Sequence, residues 1–434
     1  MAELTKFFLQ IEDKMKTLLI LLSCLCFICS CDKGDQSVDE NGIITNLDYN
    51  WKLSRLDADH SYREITTDRN VVHNGSAIVS FRNTSGNMDI RKVDKKNGNV
   101  LWRWDDFLLD DEIIHLGEDA IIIGNKLMSV IGSRHYFIDL NSGKTIWKHR
   151  TDFSSRIDLG VISNHYYFIA SFKDAITFDT SKTFIYQGDL NTGNIEPYLN
   201  YTDNITSGDL TDTRVTTTSN LECFSKDGED YILLDGRDPH PGRYDSQRHI
   251  SLYNITEESW VYEKIPIGKI EGNNSGNLIV KEDGVYLAAG RLIESYDLMS
   301  GVQKWSNEFP HTFGFSGIIV VNDKVIGNCE NRILYCMDAE TGTTIWRGEG
   351  AGTSCDLIDR ELNGVLYFIG GAPNRLFSID INTGKTLWKV KASEYEEFDV
   401  LWEKDLYVIP ASDDDTGKVI TCTFKNAYCF DIIQ

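Results

Sequence analysis

Cysteine, histidine and clustered carboxylates are the side chains through which this sequence could carry redox, nucleophilic or metal chemistry, and their spacing argues against most of it. Six cysteines follow Cys31: Cys223, Cys329, Cys336, Cys355, Cys422 and Cys429. Cys329 and Cys336 flank "ENRILY", and Cys422 and Cys429 repeat that spacing. Each pair brackets a hairpin, so an oxidising compartment would allow cross-strand disulfides. The offset makes the partners diagonal neighbours, which is marginal for disulfide geometry. Buried thiols acting as small apolar residues fit better. Beyond Cys31 there is no Cys-x-x-Cys pair and no Cys-x-x-Cys-His haem site. The nine histidines are scattered, without a metal-spaced cluster or a serine in triad context. The acidic run "SDDDTGK", residues 412–418, lacks the ordered ligand alternation of a dedicated calcium loop and reads as a solvated turn. No cofactor and no metal is expected.

Cys31 is the exception, because its chemistry is covalent lipidation. "MKTLLILLSCLCFICSC", residues 15–31, is a lysine followed by an apolar run too short to span a bilayer comfortably, which is the build of a secretory signal. Ile28-Cys29-Ser30-Cys31 resembles the lipobox of bacterial lipoproteins, with cleavage after Ser30 and the lipid on Cys31. The preceding "MAELTKFFLQIEDK" carries three acids and two bases, which is wrong for a signal's leading segment, so translation is expected to start at Met15. Three regions follow: a signal peptide over 1–30, a lipidated flexible tether over 31–45, and a folded domain over 46–434.

The folded domain is repetitive. "VDKKNGNVLW", "IDLNSGKTIW", "YDLMSGVQKW", "MDAETGTTIW" and "IDINTGKTLW" place Asp, Gly and Trp four residues apart, ending on Trp102, Trp147, Trp305, Trp346 and Trp388. The aspartate starts a turn by capping backbone amides, and the glycine supplies the positive φ that reverses the chain. "GDLNTGNIEP" has Pro197 for the tryptophan, and "YNITEESWVY" has Asn254, Glu258 and Tyr262 at the three positions. An eighth copy ends at Asp431. Steps of roughly 40–45 residues with several short strands each are the mark of a β-propeller. The expected fold is all-β: eight four-stranded blades, the last completed by an N-terminal strand, "YNWKLSRL", carrying Trp51. Such closure removes the two open edges of a linear array.

This pattern resembles the pyrroloquinoline-quinone-like repeat family, in which the tryptophan is a docking residue packed on the neighbouring blade. The resemblance implies that role for Trp51, Trp102, Trp147, Trp305, Trp346 and Trp388. The family's enzymatic branch comprises quinoprotein dehydrogenases, whose alcohol-oxidising members typically bring adjacent cysteines, a calcium-ligating set and often a haem domain; this chain has no adjacent cysteines in its propeller and no haem motif. A lipid-anchored eight-bladed propeller of this size resembles instead the lipoprotein subunit of the outer-membrane β-barrel assembly machine, a non-catalytic scaffold. That resemblance implies an envelope protein partner and a place at the outer membrane, facing either the periplasm or the cell surface. The alternatives are a quinone-dependent dehydrogenase-like enzyme and a carbohydrate- or ligand-sensing ectodomain.

A net charge of −23 argues against nucleic acid as a partner. The long steps carry extra stretches at 172–182, 201–214 and 235–249, all expected on one face. Loops longer than a fold needs are usually functional or disordered. The last of them holds Arg237, Asp238, His240, Arg243 and Tyr244, residue types common at interfaces, and is the candidate partner-binding segment.

Overall fold

The computed structural model describes residues 37–55, 71–82, 88–108, 120–131, 133–153, 155–172, 182–201, 220–237, 245–271, 275–313, 316–349, 352, 360–371, 374–395, 401–412, 416–423 and 425–433. They form eight antiparallel sheets of four strands each. Blades 1 to 7 span 72–104, 120–150, 155–200, 220–271, 275–308, 318–349 and 361–390. Blade 8 takes three strands from residues 402–431 and its outermost from Tyr49–Ser54. Apolar clusters at the blade junctions make the core: Ile319, Ile326 and Leu334 of blade 6, for example, pack with Leu366, Phe377 and Ile379 of blade 7.

Alternation of side chains along a strand explains this arrangement. Both faces of each middle strand are covered by neighbouring blades, so strands such as Val365–Gly370 and Lys418–Thr423 are buried throughout. Outermost strands alternate exposed and half-buried positions, as in Gln303–Glu308.

The Asp–Gly turns join third and fourth strands. In blade 6, Asp338 Oδ1 accepts from the amides of Glu340 and Thr341 and from the Thr341 hydroxyl at 3.2, 2.8 and 2.8 Å, while Gly342 N donates to Asp338 O. Bonds from the residue three positions on also hold the carboxyls of Asp139, Asp189 and Asp297 below the usual carboxylate range.

After each turn the outer strand bulges. The residue before the motif aromatic is skipped by the pairing in blades 1, 2, 4, 5, 6 and 7. A bulge adds one residue to one strand and re-aims the side chains around it. Here the skipped residue faces outward, which is why Leu101, Ile146, Val261 and Ile345 are exposed apolar side chains.

The ring closes as expected. Tyr49–Ser54 pairs antiparallel with Asn426–Asp431, Trp51 opposite Cys429. Blade 8 has no following turn to occupy its aspartate. Asp431 is bound instead by Lys418 Nζ at 2.5 Å, Thr416 Oγ1 at 2.9 Å and Asn50 Nδ2 at 3.1 Å, so the N-terminal strand supplies one of the donors.

Residues 37–45 differ from the flexible tether expected of them. Asp39 Oδ1 caps the amides of Asn41 and Ile43, and Thr45 N donates to Ser37 O, which makes a small hairpin. Ile44 pairs parallel with Trp388 on the edge of blade 7: Ile44 N donates to Leu387 O and Lys389 N to Ile44 O, both at 2.9 Å. The bulged Leu387 thus offers an outward carbonyl, and an apolar strand takes it. Leu47 is buried, and Tyr395 Oη bonds both its amide and its carbonyl. Cys329, Cys336, Cys422 and Cys429 are buried thiols outside any disulfide, and burial pushes Cys336 up to about 12. Cys31, Cys355 and Asp413–Asp415 lie outside the described residues.

Candidate functional site

The six motif tryptophans fall into one geometry, with one exception. Trp51, Trp102, Trp147, Trp305 and Trp346 each reach the turn of the next blade and donate Nε1–H to one carbonyl there: Lys95, Leu140, Leu190, Ala339 and Ile381, at 2.8–2.9 Å. The acceptor is always the residue after the turn's aspartate. The ring lies on the turn's glycine, so closely that a Cβ built at Gly143 would stand 2.6 Å from Trp102, and one at Gly384 2.4 Å from Trp346. Glycine at the second motif position therefore serves twice, for its positive φ and as the floor for an indole. Trp51 makes this contact across the closure, so the last joint matches the others.

Trp388 is the exception. Among the described residues, blade 8 shows no turn for it to sit on. It is 2% exposed and packs among Tyr367, Val390, Phe430 and Ile432. In blade 4 the part is played by Tyr262, whose hydroxyl donates to Leu298 O at 3.1 Å.

The joint between blades 3 and 4 is built differently. The blade 3 bulge falls two residues later, at Tyr198, with Pro197 opposite Tyr186. Tyr198 takes over the docking, edge-on to Tyr167 and Tyr253 with ring centroids 5.3 and 6.1 Å away. Beside it an open groove of about 430 Å³ is lined by His165, Gln187, Asp189, Thr192, Asn194, Ile195 and Glu196. Asp189 is spent on its own turn, accepting from Asn191 N, Thr192 N and Thr192 Oγ1. Six of the groove's seven lining side chains are polar or charged.

Blade 4 is also the blade that extends furthest. Its last strand, Ser259–Glu271, has 13 residues, and Asp245–Gln247 pair with it past the point where Glu229–Arg237 ends. A buried polar network underlies this extension. Arg248 and Asp235 form an ion pair at zero side-chain exposure. Asp235 also accepts from Asn220 Nδ2 at 2.7 Å, and Arg248 Nη1 donates to Ala288 O of blade 5 at 2.9 Å. Tyr201 Oη, after the end of blade 3, meets Ser251 Oγ at 2.8 Å and His249 Nδ1 at 3.2 Å; Ser251 Oγ accepts Lys264 N at 2.8 Å. Ser251 and His249 share a buried tyrosine hydroxyl rather than bonding each other, so the set ties strands together and exposes no nucleophile. A buried pair of this kind fixes geometry more than it adds stability. Nothing in the spacing of Asp235, Arg248, Tyr201 and Ser251 marks them in the sequence, because their meeting depends on strand register.

The candidate partner segment leaves from the top of this network. Arg237 is the last residue of its strand, with its backbone opposite Arg248. Asp238, His240, Arg243 and Tyr244 lie outside the described residues. The bracketing strands put this connection between the second and third strands of blade 4, and 172–182 between the same strands of blade 3. Among the described residues, no three His, Cys, Asp or Glu side chains group so as to hold a metal ion, and no helix is long and apolar enough to cross a membrane.

No protein-family model and no curated protein matches the chain. Solved structures do. BamB from Moraxella catarrhalis is 13% identical, with a TM-score of 0.53 over 89% of this chain and 100% of that one. The computationally designed Ika8 protein is 11% identical, with a TM-score of 0.56 over 87% of this chain and 99% of that one. At these identities the likeness is one of fold.

Proposed function

We propose that this chain is a non-catalytic scaffold of the bacterial cell envelope, anchored through a lipid on Cys31, whose blade 3–4 sector binds an envelope protein engaged in outer-membrane protein assembly. The observation that carries the reading is the local break in an otherwise regular ring. Among the described residues, a shifted docking residue, an overrunning outer strand and a fully buried ion pair beneath a long connection coincide only at blades 3 and 4. Ring closure requires none of this, and a rigid edge lowers the ordering cost of binding a protein partner. The resemblance of the repeats to the propeller lipoprotein of the β-barrel assembly machine supports the same reading, as does the fold likeness to BamB.

The test replaces residues 237–245 with a short glycine–serine link and captures partners from native envelope with the tagged full-length protein. The expected result is loss of at least one specific partner with an unchanged melting temperature. A folded variant that keeps every partner removes this sector from the function.

A further inference from the structure

We infer that the N-terminal hairpin is a clamp that holds the rim of blades 7 and 8 beside the lipid bilayer and so turns blades 3 and 4 away from it. The inference rests on the proposed lipidation of Cys31, and it adds an orientation to that anchor.

The leash length decides the matter. Were residues 31–45 a free tether, its contour would reach about 50 Å at 3.3–3.6 Å per residue, and the propeller would tumble beneath its anchor. Instead the chain is pinned from Ser37 onward. Asp39 closes the hairpin, Ile44 is bonded on both sides to the outer strand of blade 7, and Leu47 is buried with Trp388, Trp402 and Tyr428. Only Asp32–Gln36 separate the pinned segment from Cys31, a reach of about 20 Å. In a ring of eight, blade 7 faces blade 3 and blade 8 faces blade 4 across the axis. The rim nearest the lipid is therefore the one diametrically opposite the irregular sector.

The clamp acts by tethering, not by insertion. Val38 and Tyr49 present apolar surface at this edge, 54% and 47% exposed. Asp39, Glu40 and Asp48 beside them are charged side chains, and carboxylates in the acyl region would be costly. The rim therefore lies at the headgroup level or below it.

The experiment places an environment-sensitive fluorophore on the acylated full-length protein in phosphatidylethanolamine–phosphatidylglycerol vesicles containing a lipid-bound quencher. One label sits at Lys391→Cys, on blade 7, and the other at Glu196→Cys, on blade 3; both positions are exposed. The expected result is several-fold stronger quenching at 391. Ile44→Pro removes the amide that bonds Leu387 and should erase the difference while leaving the vesicle-bound fraction unchanged. A ten-residue glycine–serine insertion after Gln36 should do the same without touching the folded ring. Equal quenching at both positions in the parent protein, with the acyl group present on Cys31, overturns the clamp alone. Absence of any acyl group on Cys31 in membrane-derived protein overturns the anchor, and the clamp with it, and mass spectrometry of the N-terminal peptide tells the two apart.

Discussion

Five of the eight inter-blade joints rest on one indole that reaches the next turn, and its ring and nitrogen do separate work. Trp147 covers Gly193 and donates to Leu190 O. Trp147→Ala should cost about 3–5 kcal/mol, as removal of a packed aromatic does. Trp147→Phe keeps the ring and leaves the Leu190 carbonyl short of its donor, so the loss should be about 1–2 kcal/mol. Urea titration of both variants measures the split, and a Trp147→Phe variant as stable as the parent would show that the hydrogen bond contributes nothing. A second residue governs acid sensitivity. His135 is fully buried beside Tyr166 and Phe168, with no hydrogen-bond partner for either ring nitrogen among the described residues. Burial, reinforced by the nearby His149, holds its pKa down at about 3. The unfolded chain takes up that proton near pH 6.5, so between those values the unfolded state binds more protons and stability falls with falling pH. From pH 7 to pH 5 the loss should be on the order of 2 kcal/mol, above the range where the turn aspartates titrate. His135→Phe should flatten the profile over that interval, and an unchanged slope would assign the sensitivity elsewhere.

At the scale of the element, the decisive piece is the strand Tyr49–Ser54. It completes blade 8, donates to Asp431 through Asn50, and carries Trp51 onto Gly98. Deleting residues 46–56 removes one outer strand and one joint together and bares the edge of Asn426–Asp431. The deletion should cost several kcal/mol and promote self-association through the open edge. A truncated protein that melts like the full chain would refute the closure. Blade number and closure were legible in the sequence because Asp, Gly and Trp hold fixed offsets within a turn and one short strand. Two things were not. Tyr198 replaces a tryptophan one position late, and only the register of the bulge shows that. The hairpin 37–45 reads as polar linker because its attachment is two backbone bonds and one isoleucine, which leave no compositional trace.

At the scale of the whole molecule, regularity and irregularity divide the labour. Repeated joints between blades give each junction its own cluster of apolar contacts, so stability is spread round the ring and little of it depends on any one connection. That distribution is what allows blades 3 and 4 to carry long connections at 172–182, 202–219 and 238–244 without loss of the fold. The arrangement has an asymmetry, because seven blades are each made from one continuous stretch of chain and the eighth is not.

That asymmetry has a cost in time. Tyr49–Ser54 leaves the ribosome long before its partner Asn426–Asp431. Asn50 and Asp431 are 381 residues apart in the chain. Ile44 likewise waits for Leu387 and Lys389. Contacts so distant in sequence form slowly, since loop closure precedes any gain from them. Throughout synthesis the nascent protein therefore exposes an orphan strand, "YNWKLS", with an apolar tryptophan and an unpaired edge, the kind of segment on which chaperones act and from which aggregation starts. The strand Asn426–Asp431 acts as a completion signal: a molecule truncated before Asn426 can build seven sound blades and still never seal.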